Sequence, residues 1–213
     1  RLGLRPRPFI WVLLLGCILA YPLAPAVSSP SGDKRDYILV INTYAESTPW
    51  SRGIITDITA RVEQIENLEL YTEHINLLLV DSPREIETFE TNLLREYGKK
   101  PPRALVLIGT PTALLRNFIN SIWKGIPTIV CAEQDFVGPD KYYQKRLPIP
   151  ASEQVPLRTL ADRDNLTLLY SPAYLDQSID LMKRILPGMD RLIFIDDARY
   201  VNRQTEHDLA ELL

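Results

Sequence analysis

Short apolar runs alternate along this chain with amphipathic stretches of helical period. Ala104–Ile108 is a continuous apolar run of strand length, the pattern of a strand buried on both faces of a parallel sheet. Gly109 ends it, Thr110 stands where a helix N-cap belongs, and Pro111 follows at the first helical position, where its missing N–H costs nothing. Leu114, Leu115, Phe118, Ile119, Ile122 and Trp123 then recur at helical spacing. Gly125 and Pro127 stop that helix before a second buried strand over 128–131. A parallel pair joined by a right-handed crossover leaves its ligand-facing loops at the carboxyl ends of its strands. Here those loops begin at Gly109-Thr110-Pro111 and at Glu133-Gln134.

The same alternation comes before this unit. Residues 37–41 form a first strand that runs into the polar loop Asn42-Thr43-Tyr44-Ala45-Glu46, closed by Pro49-Trp50. Ile54, Ile55, Ile58, Val62 and Ile65 give the next helix one apolar face, with Ser51 at its entrance. A second strand is expected within 68–79, centred on 70–73. Ser82-Pro83-Arg84-Glu85 is a capping box with proline at the first helical position. The helix it opens carries Ile86, Phe89, Leu93, Leu94 and Tyr97 on one face and ends at Gly98.

From 134 to 165 the texture changes. Pro139, Pro148, Pro150 and Pro156 fall in a stretch with no long periodic run, which predicts a connecting or functional segment without regular elements. Regular structure is expected again at Leu166–Tyr170, a strand, followed by a helix carrying Leu175, Ile179, Met182, Ile185 and Leu186. A buried strand over 191–195 ending in Asp196-Asp197, and a helix beginning with Leu209, Leu212 and Leu213, complete the pattern. The fold class expected is α/β, with a doubly wound parallel sheet in a first lobe over 37–134. A connecting or hinge segment would occupy 135–165, and a second α/β lobe would begin over 166–213. The chain starts without methionine and stops inside an amphipathic pattern, and it reads as part of a longer protein.

Residues 1–27 read as an export signal or N-terminal anchor. Arg1, Arg5 and Arg7 precede an apolar run over 9–20, and Ala24-Pro25-Ala26 has the small-residue pattern of a cleavage site. Leu14-Leu15-Gly16-Cys17 offers a lipoprotein signal as an alternative, and an uncleaved anchor is a third; all three export the remainder of the chain. Beyond them Cys131 is the one cysteine, so no internal disulfide staples the mature part, and within a strand it reads as a small core group.

Charge and motifs narrow the chemistry. A formal net charge of −3 and the lack, after the first few residues, of a basic cluster interleaved with aromatics argue against a nucleic-acid surface. There is no G-x-G-x-x-G, P-loop, G-x-S-x-G or H-E-x-x-H motif and no cysteine pair at zinc spacing, so neither a cofactor nor a metal is implied. His74 and His207 are the only imidazoles, and His74 beside Glu73 lacks the further ligands a metal needs. No catalytic residue is assigned, although a carboxylate-based hydrolase is the enzyme such a chain could still be.

One resemblance adds to this reading. The ordered set Ile38-Leu39-Val40-Ile41-Asn42-Thr43-Tyr44, Pro49-Trp50, Glu73, Ala104-Leu105-Val106-Leu107-Ile108-Gly109-Thr110 and Gly125-Ile126-Pro127-Thr128-Ile129-Val130-Cys131 resembles the extracytoplasmic sensor region of bacterial sensor histidine kinases. Those regions are themselves related to the substrate-binding proteins of ABC transporters. Leu186-Pro187 before Leu192-Ile193-Phe194-Ile195-Asp196 is similar to the element that opens that family's second lobe. Gln134-Asp135-Phe136 departs from the family pattern, which commonly has a Gly-Val turn after the position of Glu133.

The resemblance implies a periplasmic-binding-protein-like fold whose two lobes close over a small polar ligand. Its contacts would come from Asn42, Thr43, Tyr44, Trp50, Gly109, Thr110 and Glu133 in the first lobe, with Tyr174 and Asp196 from the second. Packing of the loop is the competing role for Tyr44 and Trp50, and helix capping for Asp196 and Asp197. The resemblance further implies a periplasmic module tied to the inner membrane through sequence beyond Leu213, and is compatible with a homodimer. A solute-binding lipoprotein of an ABC transporter, anchored at Cys17, is the alternative.

Overall fold

The computed structural model of the chain describes residues 35–75, 82–161, 165–196 and 200–213. The expected export segment, 1–27, lies outside them, as does the end of the stretch over 68–79 in which the second strand was expected. Five parallel strands form one sheet in the order β2-β1-β3-β4-β7. They are β1 (Asp36–Asn42), β2 (Leu68–His74), β3 (Ala104–Ile108), β4 (Thr128–Ala132) and β7 (Leu166–Tyr170). β1 lies between β2 and β3, the reversal of winding direction that defines a doubly wound sheet.

Side chains alternate across the sheet, and the two faces are covered by different helices. Leu39, Ile41, Leu105, Leu107 and Val130 point to one face. There they meet Ile86, Leu93 and Tyr97 of α2 (Pro83–Tyr97) and Ile119 of α3 (Arg116–Ile122). Val40, Val106, Ile108 and Cys131 point to the other face, where Trp50, Ile54, Ile55 and Ile58 of α1 (Pro49–Val62) pack on them. Cys131 is buried and unpaired, and burial pushes its thiol pKa up, away from reactivity. α1 stops at Val62, which leaves Ile65 outside the helix and exposed.

Local chemistry accounts for the helix starts. The Ser82 N–H donates to the Glu85 carboxylate at 3.2 Å, as the capping-box spacing predicts. The helix expected from Pro111 to Trp123 differs from its pattern. Thr110–Leu115 is a 3₁₀ helix, and α-helical geometry begins only at Arg116. Thr112 closes the tight turn by donating both its N–H and its hydroxyl to the Gly109 carbonyl, at 3.0 and 2.7 Å.

Three further expectations are corrected. Leu166–Tyr170 does not open a second sheet: it pairs in parallel with β4, Thr128 opposite Leu166 and Ala132 opposite Tyr170, and is the fifth strand of the same sheet. The segment over 135–165 is not devoid of regular elements. It holds β5 (Phe136–Val137), α4 (Asp140–Lys145), a 3₁₀ turn, β6 (Val155–Pro156) and α5 (Arg158–Ala161), with β5 and β6 antiparallel. It also buries Tyr143, Ile149, Leu157 and Leu160, because its apolar residues, spaced by prolines, enter the core one at a time and not along one periodic face. Finally, 191–195 is not a buried strand. It has no strand partner among the described residues, and Ile193 and Ile195 are 82% and 88% exposed. An apolar run becomes a buried strand only when a neighbouring ladder and a covering layer are present. α6 (Leu175–Ile185) precedes it and α7 (Tyr200–Leu212) follows.

Candidate functional site

The carboxyl ends of β1, β3 and β4 are tied together by one side chain from each loop. Asn42 ends β1 wholly buried. Its Oδ1 accepts the Tyr44 N–H at 3.1 Å, its Nδ2 donates to Ser51 Oγ of α1 at 3.3 Å, and the same nitrogen lies 3.2 Å from His74 Nδ1 at the end of β2. Thr43 continues the ladder, giving its N–H and its hydroxyl to the Ile108 carbonyl, each at 3.0 Å.

Gly109 turns the chain at the end of β3 with φ +99°. A Cβ there would stand 2.0 Å from Thr43 Oγ1 and 3.0 Å from the Tyr44 ring, so both the backbone angle and the space demand glycine. Tyr44 in turn packs edge-on against Trp50, ring centroids 5.7 Å apart.

Glu133, just past β4, joins these loops. Its Oε1 accepts the Tyr44 hydroxyl and its Oε2 accepts the Thr110 N–H at 3.0 Å. Burial pushes the Glu133 pKa up, and the donors Tyr44 and Thr110 oppose the rise. The Thr110 side chain does not cap its own helix; its hydroxyl accepts the Gln134 N–H at 3.2 Å. The first N–H of the turn at Pro111 is therefore satisfied by the protein's own carboxylate and is not left for an anionic ligand.

Next to this cluster, at the carboxyl edge of β4 and β7, lies a cavity of about 400 Å³, within the size range of small-molecule sites. Glu133, Gln134 and Asp135 line it from the end of β4, Tyr170 and Tyr174 from the end of β7 and the loop after it, and Thr205 and Asp208 from α7. Tyr174 stands at the N-terminus of α6 in the left-handed region, φ 49° and ψ 42°, and is 56% exposed. A bulky residue in that region is a local strain that its surroundings must hold in place. Asp208 accepts from Gln204 Nε2 at 2.7 Å; burial pushes its pKa up and that hydrogen bond opposes the rise. Gln204, wholly buried, also accepts the Ile149 N–H at 2.8 Å, which ties α7 to the segment over 135–165. Two buried oxygens here have no hydrogen-bond partner among the described residues, Gln134 Oε1 and the Tyr200 hydroxyl. Burial pushes the Tyr200 pKa up, and the neighbouring Gln134 side chain opposes the rise.

Of the nine residues expected to contact a ligand, Glu133 and Tyr174 line the cavity. Asn42, Thr43, Tyr44, Gly109 and Thr110 are brought together beside it but are buried, their polar groups engaged with one another and with the strand ends. Trp50 is half-buried on Tyr44. Asp196 is outside the lining, 3.8 Å from the Arg203 guanidinium. Sequence reasoning placed Gln134 at the start of a ligand-facing loop but missed Asp135, Tyr170 and Asp208 as lining residues. The rule that ligands meet strand ends, applied to Leu166–Tyr170, points to Tyr170; nothing local points to Asp208, which a helix brings from 38 residues further along the chain (208 − 170).

Among the described hydrogen bonds and ion pairs, His74 meets Asn42 and His207 meets Glu211, so neither imidazole is paired with a nucleophile. The described residues include no group of His, Cys, Asp and Glu placed to hold a metal, and no helix long and apolar enough to cross a membrane. Fold and site together define an α/β protein with a five-stranded parallel sheet and a small-molecule-sized cavity at its carboxyl edge. In comparisons with known proteins, no family model and no curated protein matches the chain.

Proposed function

We propose that this chain is the ligand-sensing module of a membrane-bound sensor histidine kinase. In this reading it is exported, has a periplasmic-binding-protein-like architecture and takes up a small polar ligand at the carboxyl edge of its sheet. The observation that carries the reading is the cavity beyond β4 and β7, lined by Tyr174, an aromatic residue held in the left-handed region, together with the strand-end residues Glu133 and Tyr170. In a doubly wound sheet this edge is where loops converge and ligands bind. The segment itself has no catalytic task; phosphotransfer belongs to other regions of the full-length protein.

Signalling rests on differential affinity. A ligand that touches both the strand ends and a second lobe binds the closed arrangement more tightly, and the population shifts by that difference. The exposed apolar residues Ile193 and Ile195 supply surface on which such a lobe could pack. The test is a thermal-shift screen of sugars, nucleosides and amino acids on the full-length protein, repeated with Tyr170→Ala and Tyr174→Ala, together with autophosphorylation with and without each binder. A binder whose effect is lost in both variants and which changes the autophosphorylation rate is expected. Binding that both variants leave unchanged places the ligand elsewhere, and binding without a change in phosphorylation removes the sensor role.

A further inference from the structure

The loops after β1 and β4 are joined by a carboxyl group that has no paired cation. Glu133 is half-buried and lines the cavity. Facing it are Tyr44 from the loop after β1 and Thr110 from the 3₁₀ turn, with Tyr143 of α4 and Tyr200 of α7, both of which feel its charge. Arg116, the first residue of α3, reaches Tyr143, and Asp135 and Asp208 line the same cavity. No described salt bridge involves Glu133. Its charge is balanced by hydrogen-bond donors instead: burial favours the neutral form, and Tyr44 and Thr110 favour the charged one.

Donor and acceptor chemistry directs where a proton enters. An amide N–H only donates, so Oε2, which holds the Thr110 N–H, is kept as the carbonyl acceptor, and the proton goes to Oε1, beside the Tyr44 hydroxyl. The ionised carboxylate accepts from that hydroxyl. One hydrogen fits between two hydrogen-bonded oxygens, so once Oε1 supplies it the phenol turns its own hydrogen away and accepts. The Tyr44 ring has little room to follow. It stands edge-on to Trp50 with ring centroids 5.7 Å apart, a Cβ at Gly109 would lie 3.0 Å from it, and the Tyr44 N–H is held by Asn42 Oδ1.

We propose that the Tyr44–Glu133 bond is a proton-operated catch on the carboxyl edge of the sheet. Ionised Glu133 holds the loop after β1 to the loop after β4; proton uptake at Oε1 reverses the bond and loosens the join, while the Thr110 link stays. The loosening follows because a hydrogen bond to a charged acceptor is roughly twice as strong as one between neutral groups. The catch needs no ligand and stands apart from the sensor reading. Trp50, packed on the Tyr44 ring, reports its state.

The test is a titration of Trp50 emission in the full-length protein from about pH 4 to pH 8, taken as the difference from Trp50→Phe so that every other tryptophan cancels. One transition is expected, centred above the ordinary glutamate value of about 4.3. It should be absent from Glu133→Gln, whose side chain is neutral throughout. It should also be absent from Tyr44→Phe, which keeps the ring on Trp50 but has no hydroxyl to turn. A bond with a structural role alone would lower stability in both variants and give the wild type no transition to lose. If Glu133→Gln does not fold, Tyr44→Phe decides, since it removes a single oxygen. No transition in the wild type, or one that survives in either variant, overturns the proposal.

Discussion

The Tyr44 hydroxyl donates to the Glu133 carboxylate across the carboxyl edge of the sheet, joining the loop after β1 to the loop after β4, 89 residues further along the chain. The other carboxylate oxygen holds the Thr110 N–H after β3. One side chain thus sets the relative position of three loops beside the cavity.

Removing the Tyr44 donor leaves a partly buried carboxylate oxygen unmatched. Tyr44→Phe is expected to lower the unfolding free energy by about 1.5–3 kcal/mol, the range for hydrogen bonds to a charged group, as measured by urea denaturation. An unchanged midpoint would mean that the phenol and the carboxylate do not meet.

Gly109→Ala should be among the most damaging single-methyl changes in the chain. The new Cβ meets Thr43 Oγ1 at 2.0 Å and the residue must keep φ +99°, so a loss of about 3 kcal/mol or more is expected. Adding Thr43→Ala removes the 2.0 Å contact but neither the 3.0 Å contact with the Tyr44 ring nor the backbone strain, so only part of the loss is expected to be recovered relative to Thr43→Ala alone.

Asn42→Ala breaks links to the Tyr44 N–H, to Ser51 and to His74 at one stroke. About 2–3 kcal/mol of destabilisation is expected, with faster hydrogen exchange at the Tyr44 amide than in the wild type. Exchange at Tyr44 no faster than before would show that the loop is held by other means.

Glu133 should also give stability a pH dependence of definite sign. Its folded pKa is raised by burial, so the folded state holds the proton more tightly than the unfolded chain does. That contribution is fully present below the unfolded glutamate pKa, about 4.3, and is lost as pH rises through the folded value. Asp208 and Glu90, also raised by burial, act in the same direction. Melting curves from about pH 4 to pH 7 should therefore show a shallower fall with pH in Glu133→Gln than in the wild type. A slope unchanged by the substitution would remove Glu133 as its source.

The alternation of period, read from residues alone, was enough for the first four strands, the helices between them and the parallel α/β class. Each rests on information held within a dozen residues: an apolar run at Ala104–Ile108, a capping box at Ser82-Pro83-Arg84-Glu85, a stop at Gly125. It also placed Thr110 and Glu133 at strand ends on one edge, because doubly wound sheets gather those ends there.

Which partner a segment meets is not written at that range. Leu166–Tyr170 has the same period whether it opens a new sheet or pairs with β4; the register of Thr128 on Leu166 settles its place in the first. The run over 191–195 is as apolar as a buried strand, yet with no ladder beside it Ile193 and Ile195 stay exposed. Asp208 reaches the cavity only because Gln204, one turn earlier on α7, is buried against the Ile149 N–H. Local pattern determines where the backbone can satisfy its own hydrogen bonds. The pairing of distant segments, and with it the negative lining of the cavity, depends on which surfaces remain to be covered once those elements exist.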